Sequence, residues 1–323
     1  MSASRRSFLA GMVAVGAALP AAAAEGEAAA SPSRLVLLGT GGGPVLGGQR
    51  SMAASAIIAG GRTYLIDCGY GASLQIAKAG LAVSAIDGVF ITHNHADHML
   101  DYGPLLFFSW LQGRTLPIDV YGPPPLRQIT RDLLAANQAP LDFYRVDMDM
   151  RGMPPVEVHE LTGAGPVMQD RVARVTCCLV HHPPVRPAFA YRFDLPDRSI
   201  VFSGDTSPVE SLIALAKGAD ILVHEAAEVD LVLAMMEQAR RAPQPGVAQP
   251  RDYDAARFRD HVYRAHSSAE DAGRIAAAAG VKTLVLNHLS PASSKIAPDT
   301  MWMADAGKHF SGRIVVGKDG LWL

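Results

Sequence analysis

The chain has 323 residues, 49% of them hydrophobic and 19% charged, with a formal net charge of −2. That composition suits a globular protein with a sizeable core, and its slightly acidic balance argues against a broad nucleic-acid surface. Its three cysteines, Cys68, Cys177 and Cys178, imply no disulfide framework and read as small buried apolar side chains.

The first two dozen residues have the layout of an export signal. Ser4-Arg5-Arg6-Ser7-Phe8-Leu9 is a twin-arginine string, followed by an apolar stretch from Leu9 to Leu19, Pro20 and the alanines Ala21 to Ala24. Residues 1–24 are therefore expected to be a twin-arginine signal peptide, handed to the twin-arginine export machinery and cleaved near Ala24. The stretch is short, rich in alanine and glycine and interrupted by Pro20, so a stable membrane span is not expected. The address would be the periplasm of a bacterium. Loss of Arg5 and Arg6 takes the net charge from −2 to −4. Residues 25–323 contain no long linker and no fixed repeat, and read as one domain.

After the signal, Ser33 to Leu38 reads as a strand that ends in Gly39-Thr40-Gly41-Gly42-Gly43-Pro44. No Lys-Ser/Thr pair follows these glycines, so a phosphate loop is disfavoured against a tight turn. Ala53 to Ala59 and Thr63 to Ile66 flank Gly60-Gly61 as a hairpin. Ala72 to Ala79 has helical spacing, just after Asp67-Cys68-Gly69.

Gly88-Val89-Phe90-Ile91 is an apolar strand that runs into Thr92-His93-Asn94-His95-Ala96-Asp97-His98. Four of those seven residues can bind a metal, and imidazole nitrogen with carboxylate oxygen suits a borderline cation such as Zn²⁺. Tyr102 to Leu111 is a strongly apolar helix that serves as core or as a wall of the cleft. Pro117 to Tyr121 is a strand and Leu126 to Asn137 a helix, while Ala139 to Pro155 reads as irregular.

The strand Arg171 to Val180 delivers His181-His182-Pro183, and Ser199 to Phe202 delivers Gly204-Asp205-Thr206. Ile221 to Val223 ends in His224-Glu225. Ser267 and Glu270 are spaced as a capping box for a helix over Ala269 to Ala279. The strand Val281 to Leu286 presents His288; a helix over Asp299 to His309 and a strand over Ile314 to Val316 close the chain.

The His93-x-His95-x-Asp97-His98 string resembles the metallo-β-lactamase superfamily, and the three further ligands that family needs have candidates in order at His182, Asp205 and His288. The resemblance implies a four-layer αββα sandwich of the metallo-β-lactamase fold. His93, His95 and His182 would form one metal site, Asp97, His98 and His288 the other, with Asp205 bridging. The cofactor would be two zinc ions per chain, with Mn²⁺ or Fe²⁺ allowed at one site. Asp67 would orient a ligand histidine. A Val-x-His-x-Pro pattern selects His182 over His181.

Within the superfamily, His224-Glu225 and His266-Ser267-Ser268 resemble motifs of the ribonuclease Z and arylsulfatase-like branch. That likeness implies His266 as proton donor to the leaving group, oriented by Glu225, with Asp97 aiming a metal-bound hydroxide. The family's RNA-gripping arm is inserted between its third histidine and the bridging aspartate. Only 22 residues separate His182 from Asp205 here. A periplasmic dinuclear zinc hydrolase of small phosphodiester or sulfate esters is therefore expected, with nucleic acid an unlikely partner. The alternatives are a ribonuclease Z-type RNA 3′-processing endonuclease and a lactone or β-lactam hydrolase. A homodimer and a Cys68 bridge to Cys177 or Cys178 are left open.

Overall fold

The computed structural model describes residues 32–43, 49–241 and 254–323. The export signal read at residues 1–24 lies outside them.

Two seven-stranded mixed sheets pack face to face with helices outside, the sandwich expected from the sequence. The first sheet has the order β14-β1-β2-β3-β4-β5-β6, with β1 at Arg34–Gly39, β2 at Ala54–Ala59, β3 at Arg62–Ile66, β4 at Gly88–Phe90, β5 at Ile118–Gly122, β6 at Val156–Glu160 and β14 at Leu321–Trp322. The second has the order β13-β12-β11-β10-β9-β8-β7, with β7 at Gly165–Gln169, β8 at Arg174–Leu179, β9 at Phe189–Asp194, β10 at Ser199–Phe202, β11 at Ile221–Ala227, β12 at Thr283–Ser290 and β13 at Arg313–Val316.

Alternation along each strand divides the apolar residues between layers. In β1, Leu35 and Leu37 face the core between the sheets, while Val36 and Leu38 face the outer layer. In β12, Val285 points inward and Leu284 and Leu286 outward. The inner layer is cemented by aromatic rings: Phe90 stacks on Tyr121 and meets Phe193 edge-on, each at 4.9 Å between centroids. Strands β3 to β6 pair in parallel, as do β10 to β13, which explains their near-continuous apolar runs.

Helices α1 (Ala72–Lys78), α2 (Ala96–Met99), α3 (Tyr102–Leu111), α4 (Leu126–Ala136) and α5 (Gln138–Asp147) belong to the first half of the chain. Helices α6 (Glu210–Ala216), α7 (Val229–Arg241), α8 (Ala255–Ala265), α9 (Ala269–Ala279) and α10 (Asp299–Gly307) belong to the second. No helix among the described residues is long and apolar enough to cross a membrane.

Two local expectations are corrected, and the reading of the cysteines as small buried side chains holds. The stretch read as irregular contains α5, which buries no residue and therefore shows no apolar stripe to read. The capping box sits one residue later, with Ser268 and Asp271 exchanging hydrogen bonds. Ser267 is withdrawn from it because its hydroxyl donates to the Thr206 carbonyl at 2.6 Å. All three cysteines are free and buried, and they lie in three different apolar clusters, so no bridge forms.

Candidate metal centre

Most of the candidate ligands follow the ends of strands. Strand β4 runs into the His93–His98 loop and α2, and β10 into Gly204-Asp205. Gly204 has φ +59, and a Cβ there would lie 2.7 Å from the Phe189 carbonyl, so only glycine lets the chain turn Asp205 inward. His288 does not follow its strand as expected but lies within β12, at φ 45. Neighbouring β11 shifts register between Glu225 and Ala226. The left-handed conformation costs of order 1–3 kcal/mol and is held by pairing on both sides.

Three groups of donor atoms result, each with all its atoms within 4.8 Å of one another: His93, His95, His182 and Asp205; Asp97, His98, Asp205 and His288; and Asp205, Glu225, His266 and His288. The first two groups bring together the residues named for the two sites, with Asp205 in both. In the first group, His95 Nδ1 lies 3.0 Å from both His93 Nε2 and His182 Nε2. Asp205 Oδ2 lies 3.8 Å from each of those two Nε2 atoms. A tetrahedral cation with ligand bonds of about 2.0–2.1 Å needs donor separations of about 3.3 Å. In the second group, His288 Nε2 is 3.1 Å from Asp97 Oδ2 and 3.4 Å from Asp205 Oδ2, and His98 Nε2 is 3.3 Å from Asp205 Oδ1 and 3.7 Å from Asp97 Oδ2. His98 Nε2 and Asp205 Oδ1 are buried with no hydrogen-bond partner, which buried polar atoms rarely tolerate. Both donor sets fit divalent cations.

The outer ring nitrogens of His93, His98 and His182 are held from behind, as metal-ligating histidines require, while His288 Nδ1 has no hydrogen-bond partner. His98 Nδ1 meets Asp67 Oδ2 at 2.9 Å, and His182 Nδ1 donates to the Ala265 carbonyl at 2.8 Å. Asp67 thus stands where the sequence placed it. Thr92, to which the sequence assigned no role, ties the loop together: its hydroxyl donates to Asp67 and lies 3.1 Å from His93 Nδ1. A hydroxyl residue between a core strand and a histidine cluster was the only signal for it.

Electrostatics divide the two sites. Burial holds His93 well below its usual range and His182 at about 4, so these imidazoles stay neutral and able to ligate. Burial also depresses His98, but Asp205, Asp67 and Asp97 outweigh it and push His98 well up. The second site therefore carries an excess of negative charge that a cation neutralises.

Beside these sites, His266 Nδ1 meets Glu225 Oε2 at 2.8 Å and lies 3.8 Å from Asp205 Oδ2. Burial opposes the charged ring, yet Glu225, by charge and hydrogen bond, and Asp205 raise it to about 9. Burial raises Glu225, and His266 opposes that rise. Glu225 Oε1 also accepts from Thr206 N at 2.6 Å, which fixes the carboxylate in one orientation.

His181 differs from its neighbour: it is exposed, belongs to none of the donor groups, and pairs with Ser207 through its backbone. His182→Ala should lose one bound ion while His181→Ala keeps both, as elemental analysis would show. Metal loss in the His181 variant alone would reverse the assignment.

Comparison with known proteins agrees with this geometry. A model described as the Beta-lactamase superfamily domain matches residues 62–289, which hold every candidate ligand. The chain belongs to the metallo-β-lactamase superfamily. Among its relatives, a protein named Ribonuclease Z from Mycobacterium sp. (strain KMS) is 37% identical over 291 residues, 88% of this chain and 93% of that protein. One of the same name from Mycobacterium bovis (strain BCG / Pasteur 1173P2) is 34% identical over 292 residues, 88% of this chain and 95% of that one.

Solved structures share the fold. The metallo-β-lactamase fold protein YhfI from Bacillus subtilis has a TM-score of 0.64 at 20% identity, covering 90% of this chain and 98% of that one. Human tRNase Z, short form, has a TM-score of 0.63 at 23% identity, with the same coverage.

This superfamily member is a metal-dependent hydrolase. The relatives overturn the expectation of a hydrolase of small phosphodiester or sulfate esters, and with it the exclusion of nucleic acid as a partner. The physical error is plain. Net charge sums over the whole surface and does not report the field near one site. The short span between His182 and Asp205 does not by itself decide the substrate.

Proposed function

We propose that the chain is a ribonuclease Z-type endonuclease that cuts a phosphodiester bond in the 3′ processing of RNA, with two zinc ions as its metals. The observation that carries this reading is the 34–37% identity to proteins named Ribonuclease Z along 88% of the chain. The site supports it, because cleavage of an RNA phosphodiester expels a ribose alkoxide that needs a proton, and His266, hydrogen-bonded to Glu225 at 2.8 Å with its pKa raised to about 9, stands beside the candidate metal ligands.

When bound, the divalent ions supply Lewis acidity: they stabilise charge on the phosphoryl oxygens and lower the pKa of water. Asp205, common to both sets of donors, would hold the two ions together. Asp97, whose Oδ2 accepts from Gly43 N at 3.0 Å, is placed to accept a hydrogen bond from the attacking water and aim it. His266 gives its Nδ1 proton to the Glu225 carboxylate as a hydrogen bond, which leaves Nε2–H free to protonate the departing oxygen. Water exclusion comes from the burial of His93, Asp97, His98, His182, Asp205 and His288, all under 6% exposed. The export address read in residues 1–24 is a separate matter, and an RNA substrate does not depend on it.

The test is a precursor transfer RNA carrying a 3′ trailer, incubated with zinc-loaded protein and compared with bis(p-nitrophenyl) phosphate. One endonucleolytic cut on the 3′ side, abolished by a chelator, is expected. Steady hydrolysis of the nitrophenyl diester with the RNA left intact would reject the ribonuclease reading and keep the hydrolase.

A further inference from the structure

From the far end of the chain, Asp319 reaches the turn that closes over the second metal site. Its Oδ1 accepts from Thr40 N at 3.0 Å and from the Thr40 hydroxyl at 2.7 Å; its Oδ2 accepts from Ser51 N at 2.6 Å and Gln75 Nε2 at 3.3 Å. Arg50 Nη1 completes the knot, donating to the Thr40 hydroxyl oxygen at 2.7 Å and to the Gly317 carbonyl. One half-buried carboxylate thus ties together the end of β1, the segment before β2 and helix α1.

What this knot holds in place is the turn Thr40–Gly43, and that turn touches two ligands of one site only. Gly43 N donates to Asp97 Oδ2 at 3.0 Å, the oxygen that also faces His288 Nε2 at 3.1 Å. Gly42 N donates to the Leu289 carbonyl at 3.0 Å, and Leu289 N donates to the Thr40 carbonyl at 2.8 Å, so the turn is laced to the chain on the far side of His288. The fit is close: a Cβ on Gly42 would lie 2.6 Å from both His288 Nδ1 and the His288 carbonyl. Among the described residues, the hydrogen bonds of the His93, His95 and His182 rings run to one another, to Thr92 and to Ala265, and none runs to this turn.

We infer that Asp319 is a positioning residue for the second metal site, fixing Asp97 and His288 through the Thr40–Gly43 turn and leaving the three-histidine site untouched. The inference deepens the function proposed above and rests on its two-metal reading, not on RNA as substrate. Groups that orient a ligand from behind typically contribute 10–100-fold in metal affinity. Here the lever is longer, but it acts on two of the four donors at once.

The experiment is a zinc titration of the metal-stripped full chain against a chromophoric chelator, which returns two dissociation constants. Asp319→Ala should weaken the second ion by roughly 10–100-fold and leave the first within about twofold. Thr40→Val keeps the backbone bond to Asp319 and loses the hydroxyl, so it should show the same selective loss in weaker form. It also serves if Asp319→Ala folds poorly. Asp319→Asn retains an acceptor for Thr40 but turns a donor toward Ser51 N, and should fall between. Lys318→Ala, which breaks only the neighbouring exposed pair with Asp299, should change neither constant. In a His182→Ala background, where the first site is crippled, the remaining constant must still fall when Asp319 is removed. Two unchanged constants in Asp319→Ala, or equal weakening of both ions, would overturn the inference; the latter would mark Asp319 as a general support of the fold. Neither outcome depends on what happens to RNA.

Discussion

Asp205→Ala is expected to lose at least one of two bound ions and to lower hydrolysis by about a thousandfold or more, on RNA and on nitrophenyl phosphodiesters alike. Asp205 is the one residue common to both candidate metal sites, with Oδ1 facing His98 and Oδ2 facing His93, His182 and His288. Metal-ion stabilisation of developing charge is worth several kcal/mol, and about 4 kcal/mol corresponds to about a thousandfold in rate. The loss should not depend on the leaving group, because it falls on the phosphoryl oxygens and the nucleophile. Asp205→Asn keeps the shape and one ligating oxygen but surrenders the charge, so it should hold an ion more weakly and lose less activity. The readouts are metal content by elemental analysis and kcat/KM on both substrates. Two ions retained in Asp205→Ala, with activity within tenfold, would remove the shared-ligand scheme.

His266→Ala should behave in the opposite way, keeping both ions and losing activity in proportion to how badly the leaving group needs a proton. General acid catalysis contributes on the order of 10²–10⁴-fold. An alkyl phosphodiester or RNA, which departs as an alkoxide, should lose most of that; a nitrophenyl diester, which departs as a stable anion, should lose under about tenfold.

The pH dependence follows from the same hydrogen bond. The folded protein raises His266 to about 9, above its ordinary value of 6.5, so the acid form dominates at neutral pH and disappears as pH rises through the raised value. A cation on Asp205 offsets part of that lift, so the alkaline limb of the loaded enzyme should fall short of 9. His266→Ala should lack the limb on alkyl substrates. Glu225→Gln should weaken it, since the amide keeps an oxygen for Thr206 N but offers no charge to His266. Equal losses on both leaving groups with full metal content would make His266 a substrate-positioning or structural residue instead.

The ligand set was legible because metal chemistry restricts residue types, and few roles besides metal binding call for histidines and an aspartate packed so densely after a core strand. The strands were legible for a similar reason: β1, β4 and β12 bury both faces, so their apolar runs stand out. Helix α5 buries nothing and therefore left no pattern. The capping box misled by one residue because Ser267 and Ser268 offer the same hydroxyl, and only the packing of α9 against the Asp205 loop decides which one turns inward. The substrate expectation failed because net charge sums over the whole chain and does not report the field around one site.

By itself, then, the sequence determined which residues could bind metal and where most of the strands run. Those properties follow from side-chain chemistry and local periodicity, which a linear text preserves, whereas a shared Asp205 and two sheets between helices were implied by the resemblance to the metallo-β-lactamase superfamily. Tertiary structure decided that Thr92 braces the histidine loop and that His288 reaches the site from inside a strand in a left-handed conformation. It also decided that Asp319 meets Thr40, 279 residues away in the chain. Each of these depends on contacts between segments remote in sequence, and no local pattern encodes a distance that only the closing of the two sheets creates.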